Sequence, residues 1–213
     1  MTDVGPKVEV LDSADAADIV SVLCEAFSDD PVMRFVLDSC ARYQAHLEKL
    51  VTFFVAARLL RDEVLLGVRS PRGLDATALV SYPAARSSPP ELAERREELW
   101  AELGDGALAR YEAFGHAADP LMVSDPHIHL NMVGVRAASQ GRGFGRAVLE
   151  AVHELSRRDA TSSGVSLVTG SESNVALYRH FGYDVAGRVD VHGALTVWGF
   201  FRSDAYGLGG PGG

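Results

Sequence analysis

The feature that most constrains this chain is Gln140-Gly141-Arg142-Gly143-Phe144-Gly145-Arg146, a run with glycine at every second position. His127 to Val135 before it reads as a strand. Arg146 to Arg158 after it reads as a helix with Val148, Ala151, Val152 and Leu155 on one face. Alternate glycines let the backbone approach a ligand closely and turn successive N–H groups into one concavity. At a helix N-terminus those amides carry partial positive charge, which suits a phosphate or pyrophosphate. From Arg136 to Arg158 five arginines stand against two glutamates, 5 − 2 = +3, inside a chain of net charge −9. The competing use of such a run is a turn that only packs helix on sheet. Two familiar phosphate loops are excluded. A Walker A loop needs GxxxxGK[ST], and the last lysine is Lys49. A Rossmann fingerprint needs GxGxxG directly after its strand, whereas Arg136 to Gln140 intervene here.

Length and composition set the frame around that run. With 213 residues, 47% hydrophobic and 23% charged, the chain has the makings of one domain with a sizeable core. A pI near 5.2 argues against nucleic-acid binding through bulk charge. No apolar run reaches the ~18 residues that span a bilayer. No basic start followed by an apolar stretch marks a secretory signal. Cys24 and Cys40 form no CxxC pair and read better as buried small hydrophobes than as reactive thiols. The expectation is a cytoplasmic protein with one domain over residues 1–206. The tail, 207–213, holds five glycines and one proline and is expected to be disordered.

Periodicity outlines the elements. Val8 to Leu11 is a short strand, followed by a helix capped by Ser13, carrying Ile19, Val20, Leu23 and Phe27, and stopped by Asp29-Asp30-Pro31. A second helical region has Leu47, Leu50, Val51 and Phe54 on one stripe. Strands at 63–68 and 76–82 flank a turn at 70–73. Two helices then fill an insertion at 89–119, and strand, helix, strand, helix, strand, strand follow. The order predicts an α/β (α+β) fold with a mixed, mostly antiparallel sheet of six or seven strands and flanking helices. Strands 127–135 and 165–169 should be parallel neighbours, because a strand–helix–strand unit joins such pairs by a right-handed crossover.

Gln140, Gly143 and Gly145 match [Q/R]xxGx[G/A], and the segment resembles the acetyl-CoA loop of the GNAT N-acetyltransferase superfamily. Asn131-Met132-Val133-Gly134-Val135 resembles that family's central strand, and Asn174 to Tyr183 (NVALYRHFGY) its later Asn…Leu-Tyr…Gly-Phe/Tyr motif. The likeness is close over residues 130–183 and looser before. Ala137 stands where the family usually has proline. The insertion is similar to that of antibiotic acetyltransferases of the puromycin N-acetyltransferase type. The resemblance implies an acyl-CoA N-acyltransferase fold with a splayed central parallel pair, acetyl-CoA as acyl-donor substrate, and no metal. It implies that backbone groups of Val133 and Val135 pair with the pantetheine arm. It implies that amides of Gly141, Arg142, Gly143, Phe144, Gly145 and Arg146, after Gln140, hold the pyrophosphate. Asn174 would hydrogen-bond the pantetheine, and Tyr178 would act as general acid at the thioester sulfur.

The acceptor side is less defined. His129 lies six residues before Val135, so strand alternation puts both on one side unless a bulge intervenes. Its position resembles that of the base glutamate in histone acetyltransferases of this superfamily, and an imidazole with a pKa near ~6.5 can serve as base. A histidine that merely lines the cleft is an equal reading. His127 and His129 form HxH, but no third metal ligand is evident. Asn131 can orient substrate or water. Asp29 and Asp30 follow the first helix, which the resemblance places near the acceptor. Residues 89–119 carry eight acids and three arginines, 3 − 8 = −5, either a wall attracting a cationic amine or a solvated helix face. The expected reaction is transfer of acetyl from acetyl-CoA to a primary amine of a small cationic molecule, antibiotic- or metabolite-like, by direct attack on the thioester. Acetylation of a protein N-terminus or lysine, or a non-catalytic acyl-CoA sensor, are the alternatives. The expected partners are acetyl-CoA and the amine, without nucleic acid or membrane, and a homodimer is compatible with them.

Overall fold

Seven strands join in one mixed sheet: β1 (Val8–Leu11), β2 (Leu65–Ser70), β3 (Gly73–Ser81), β4 (Ile128–Val135), β5 (Gly164–Thr169), β6 (Asp184–Val191) and β7 (Leu195–Ser203). Their order is β1-β2-β3-β4-β5-β7-β6, and every neighbouring pair is antiparallel except β4 and β5. This computed structural model describes residues 5–38, 41–83 and 87–206; Cys40 and the glycine-rich tail lie outside the described residues. Among the described residues seven α-helices flank the sheet: α1 (Ala16–Ala26), α2 (Pro31–Leu37), α3 (Tyr43–Leu60), α4 (Pro90–Leu103), α5 (Asp105–Ala118), α6 (Phe144–Arg158) and α7 (Ser173–His180). Among the described residues no helix is long and apolar enough to cross a membrane.

The sheet buries both faces. On one, Ile19 and Leu23 of α1 and Leu47, Leu50 and Val51 of α3 pack with Leu79 and Met132. On the other, Val148 and Val152 of α6 pack with Ala78, Val80, Ile128 and Leu130. The insertion joins the first face, where Leu99, Trp100 and Leu103 of α4 bury against it. Cys24 lies in the same layer, and burial foremost, with Glu48 nearby, pushes its thiol up to about 11. It is an unreactive core residue.

Three local readings are corrected. Asp12, not Ser13, caps the first helical segment: its carboxylate accepts from the Ala14 amide at 2.7 Å, while Asp15 accepts from the Asp12 amide at 3.0 Å. Asp29-Asp30-Pro31 does more than end α1. Asp30 caps α2, accepting from the Val32 and Met33 amides at 2.9 and 3.1 Å, with Pro31 in the first turn. Seven residues are too few for periodicity to reveal that helix. Third, β4 carries a bulge. Leu79 pairs with Met132 and Val80 with Leu130, so Asn131 is an extra residue with no partner of its own.

Candidate active site

The bulge and a short parallel pairing open the sheet. Ile128 pairs with Val165 and His129 with Ser166, and past these residues β4 and β5 diverge. From Leu130 to Val135 the β5-facing edge of β4 has no strand partner among the described residues. An extended molecule bearing amides can add to such an edge as a strand would. A cleft of about 320 Å³ lies in the divergence, lined by Asn131 and Val133 of β4, by Val168 and Thr169 at the end of β5 and Gly170 after it, and by Asn174 and Tyr178 of α7.

The glycine run joins the end of β4 to α6. Gly141 and Gly143 have φ of +74° and +80°, and Gly143 caps α6 without a side-chain hydrogen bond. Nothing lies within 4 Å of a Cβ built on either glycine, so the positive φ, not packing, favours glycine there. The first amides of α6 have no intrahelical partner. Arg142 stacks on Phe144 at 4.8 Å, and Arg146 sits 5.2 Å from the Phe181 ring, keeping two cations beside them.

Two acids steady the loop from outside it. Glu25 of α1 accepts from the Ala137 amide at 2.7 Å and from Arg136 at 2.9 Å. A proline at 137 has no N–H to give, so this contact belongs to the alanine that departs from the family pattern. Asp75 of β3 accepts from the Ser139 hydroxyl, and its carbonyl accepts from the Arg136 amide at 2.8 Å. Burial works to raise the Asp75 pKa, but hydrogen bonds from Ser139 and Ser70 and the Arg72 and Arg142 charges outweigh it and hold the carboxyl low. Neither acid announces itself in the sequence, because each lies far along the chain from the loop it holds.

Tyr178 is buried with its ring centroid 5.7 Å from Tyr183 and 5.4 Å from Phe200. Burial foremost, then the Asp30 charge, pushes its phenol up to about 12, so it keeps its proton at neutral pH. Asn174 donates to the Thr169 hydroxyl at 3.3 Å. Asp30 lines the cleft, and burial raises its pKa against the lowering effect of the two amides it caps. Asp29 does not share that place: its side chain is 87% exposed and pairs with Arg34 at 2.6 Å.

His129 lines the cleft, but not on the side of Val135. Met132 packs against α1 and α3, while Val133, Val135, Ile128 and Leu130 all pack on the α6 face. The extra residue at 131 shifts the alternation by one, which puts His129 opposite Val133 and Val135. Its Nδ1 lies 2.8 Å from the Ser166 hydroxyl. Burial first, then the His127 and Arg58 charges, lowers its pKa to about 4, so the ring is neutral at pH 7. His127 is engaged separately, its Nδ1 lying 2.6 Å from the Asp125 carbonyl. Among the described residues no group of three or more His, Cys, Asp or Glu could hold a metal.

This splayed pair, glycine loop and following helix sit inside residues 78–183, about half the chain, which match the acetyltransferase (GNAT) family. The chain belongs to that GNAT family. It is an N-acetyltransferase by that membership. Solved structures share the fold over nearly the whole chain. A Corynebacterium glutamicum protein described as histone acetyltransferase HPA2 and related acetyltransferase is 22% identical, with TM-score 0.66, over 93% of this chain and 97% of its own. Arylalkylamine N-acetyltransferase 2 from Aedes aegypti is 13% identical, with TM-score 0.60, over 93% and 98%. Drosophila melanogaster polyamine N-acetyltransferase, which forms N-acetylagmatine, is 14% identical, with TM-score 0.58, over 92% and 100%.

In this GNAT chain the insertion contributes to the cleft in an unexpected way. Glu91, Glu94, Glu97, Glu98, Glu102, Asp105, Glu112 and Asp119 are all exposed, and none lines the cleft. Glu91 pairs with Arg95 and Glu102 with Lys49. The acidic wall is therefore a solvated face. What α5 brings instead is Tyr111 and Phe114, which join Phe27 and Phe54 as an aromatic lining. Tyr111 in turn leans on Trp100 at 4.9 Å and Phe54 at 6.3 Å.

Proposed function

We propose that this chain is a cytoplasmic, acetyl-CoA-dependent enzyme that acetylates a primary amine of a small molecule, metabolite- or antibiotic-sized and cationic at its amine. One juxtaposition carries the reading: the unpaired β4 edge at Val133 and Tyr178 of α7 line one cleft, and β4 leads on along the chain to the glycine loop that opens α6. In this reading Gln140 and the amides from Gly141 to Arg146 hold the pyrophosphate, the edge at Val133 and Val135 pairs with the pantetheine, and Asn174 hydrogen-bonds it. Acetyl-CoA supplies the activated acyl group. Tyr178, protonated at pH 7, gives its proton to the departing sulfur.

The acceptor must lose a proton to attack. Asp30 draws the ammonium toward the cleft. An alkylammonium near pKa ~10.4 is roughly six units too weak an acid to give its proton to an imidazole at about 4. His129 therefore takes a proton only after the new N–C bond has made that nitrogen far more acidic, and the amine that attacks is the neutral fraction already in equilibrium with its ammonium in solution, oriented by Asn131. Tyr111 and Phe114 narrow the cleft, which favours a small amine over a protein segment. The test is acetyl-CoA consumption against an amine panel with mass detection. A product heavier by one acetyl group, formed with equimolar CoA, is expected. Tight CoA binding with no amine acetylated would make the chain a binding module instead.

A further inference from the structure

The cleft holds two charged groups of opposite sign at different stations, Asp30 beside Tyr178 and Arg58 beside His129. Arg58 comes from the last turn of α3, and its Nη1 donates to Glu63 at 2.8 Å. Both side chains are largely buried, 14% and 6% exposed. Glu63 is the one hydrogen-bond acceptor of the guanidinium among the described residues, and Nε is buried without a partner. An arginine fork has five N–H donors, and leaving the buried Nε–H unmet is costly. The same cleft has a large apolar and aromatic lining that includes Phe27, Met33, Phe54, Tyr111 and Phe114. A cleft built only for an apolar amine has no use for a second, cationic station.

We propose that Arg58 reads a carboxylate on the acceptor, which makes the substrate class an amino carboxylate with an apolar or aromatic body. The inference deepens the acetyltransferase reading and rests on it. Glu63 holds the fork through Nη1, and Arg58 lines the cleft. A planar fork matches a carboxylate with two parallel hydrogen bonds, a match that lysine cannot make. The apolar body lies on the aromatic lining, and the amine reaches toward Asp30 and Tyr178.

The test separates the two readings. Calorimetry on the full chain loaded with CoA compares 3-phenylpropanoate, which has no amine to acetylate, with 3-phenylpropanamide. The carboxylate should bind at least about tenfold more tightly than the amide. Arg58→Gln alone strands Glu63 in a buried place, so the decisive variant is Arg58→Gln with Glu63→Gln, its folding checked by thermal melting. That pair should abolish the preference, whereas Glu63→Gln alone should retain it. Equal binding of the two compounds by the wild-type chain, or a preference surviving in the double variant, would overturn the assignment. Should the double variant not fold, the wild-type comparison and Arg58→Lys decide, the latter losing most of the preference. In turnover, 4-(aminomethyl)benzoate, with amine and carboxylate at opposite ends of an apolar body, should exceed 4-(aminomethyl)benzamide in kcat/KM by a similar factor. Carboxylate binding without acetylation of either amine counts against the enzyme reading alone; equal acetylation of both counts against Arg58 alone.

Discussion

The two halves of the cleft are built by different means. The proposed donor side, residues 131 to 183, is nearly continuous in sequence and offers backbone: an unpaired strand edge, two left-handed glycines and a helix N-terminus. The acceptor side gathers side chains from α1, α2, α3, α5 and β4, residues as far apart as Phe27 and His129. Backbone recognition needs glycine at fixed spacing and so leaves a motif. Side-chain recognition needs only the right groups to meet, and any scaffold position can supply one. The same fold therefore keeps a common donor while the acceptor changes.

Tyr178 belongs to both halves and gives the sharpest break. In Tyr178→Phe the ring still packs on Tyr183 and Phe200, so stability and CoA affinity should hold. Loss of a positioned general acid should lower kcat by about 10²–10⁴-fold. Steady-state kinetics beside CoA calorimetry checks this, and an unchanged kcat would make the tyrosine structural.

Two histidines have lowered pKa values, the half-buried His129 in the cleft and the buried His153 of α6, and acid should strain both. His129 is lowered to about 4, and burial first, then Arg202 and Arg157, lowers His153 to about 3, where its Nε2 lies 2.9 Å from the Tyr183 hydroxyl. Between pH 6.5 and these values the unfolded chain binds more protons than the folded one, so the stability is present above pH 6.5 and lost as pH falls. The total loss should be on the order of a few kcal/mol, read as a falling Tm from pH 7 to 4. His153→Gln on the donor side and His129→Gln on the acceptor side should each flatten part of the slope. A Tm that does not change with pH over that range would contradict both placements.

Gly143→Val tests the backbone half. A β-branched residue at φ +80° costs about 1–3 kcal/mol, and its side chain enters the open concavity before α6. CoA affinity should fall about tenfold or more while the circular dichroism of the folded chain persists. Unchanged affinity would remove the loop from the donor site.

What the sequence made legible follows the same division. Alternation and amphipathic spacing foretold β4, α6, β5 and α7 and the parallel pair, because those segments bury one face and the connection has one hand. The side on which His129 faces was not legible. It depends on a one-residue bulge at Asn131, set by cross-strand register with β3 rather than by any residue in β4 alone. Asp29 and Asp30 are chemically alike in sequence, yet one caps α2 at the cleft and the other pairs with Arg34 in solvent. Arg58 gave no signal at all, since an arginine ending an amphipathic helix is ordinary. The eight acids of the insertion misled in the opposite direction, being a visible pattern turned outward.

That outward face yields the smallest expected effect and the closest test of how the acceptor is read. If substrate were drawn in by the insertion's field, kcat/KM would fall steeply with salt, because exposed charges are screened over ~10 Å at 0.1 M. Glu94, Glu97 and Glu98 are exposed on α4 and none lines the cleft, so their potential reaches the amine only through screened solvent. Asp30 and Arg58, by contrast, act from within the cleft, where salt has little access. Replacing Glu94, Glu97 and Glu98 together by glutamine should change kcat/KM by less than about twofold at 0.15 M salt, where the Debye length is ≈ 8 Å. Asp30→Asn, measured beside it, should raise KM for the amine by more, although the cap to Val32 and Met33 survives in weaker form. A larger loss in the triple variant than in Asp30→Asn would return the acceptor's recognition to the surface field and reverse the division between the two halves.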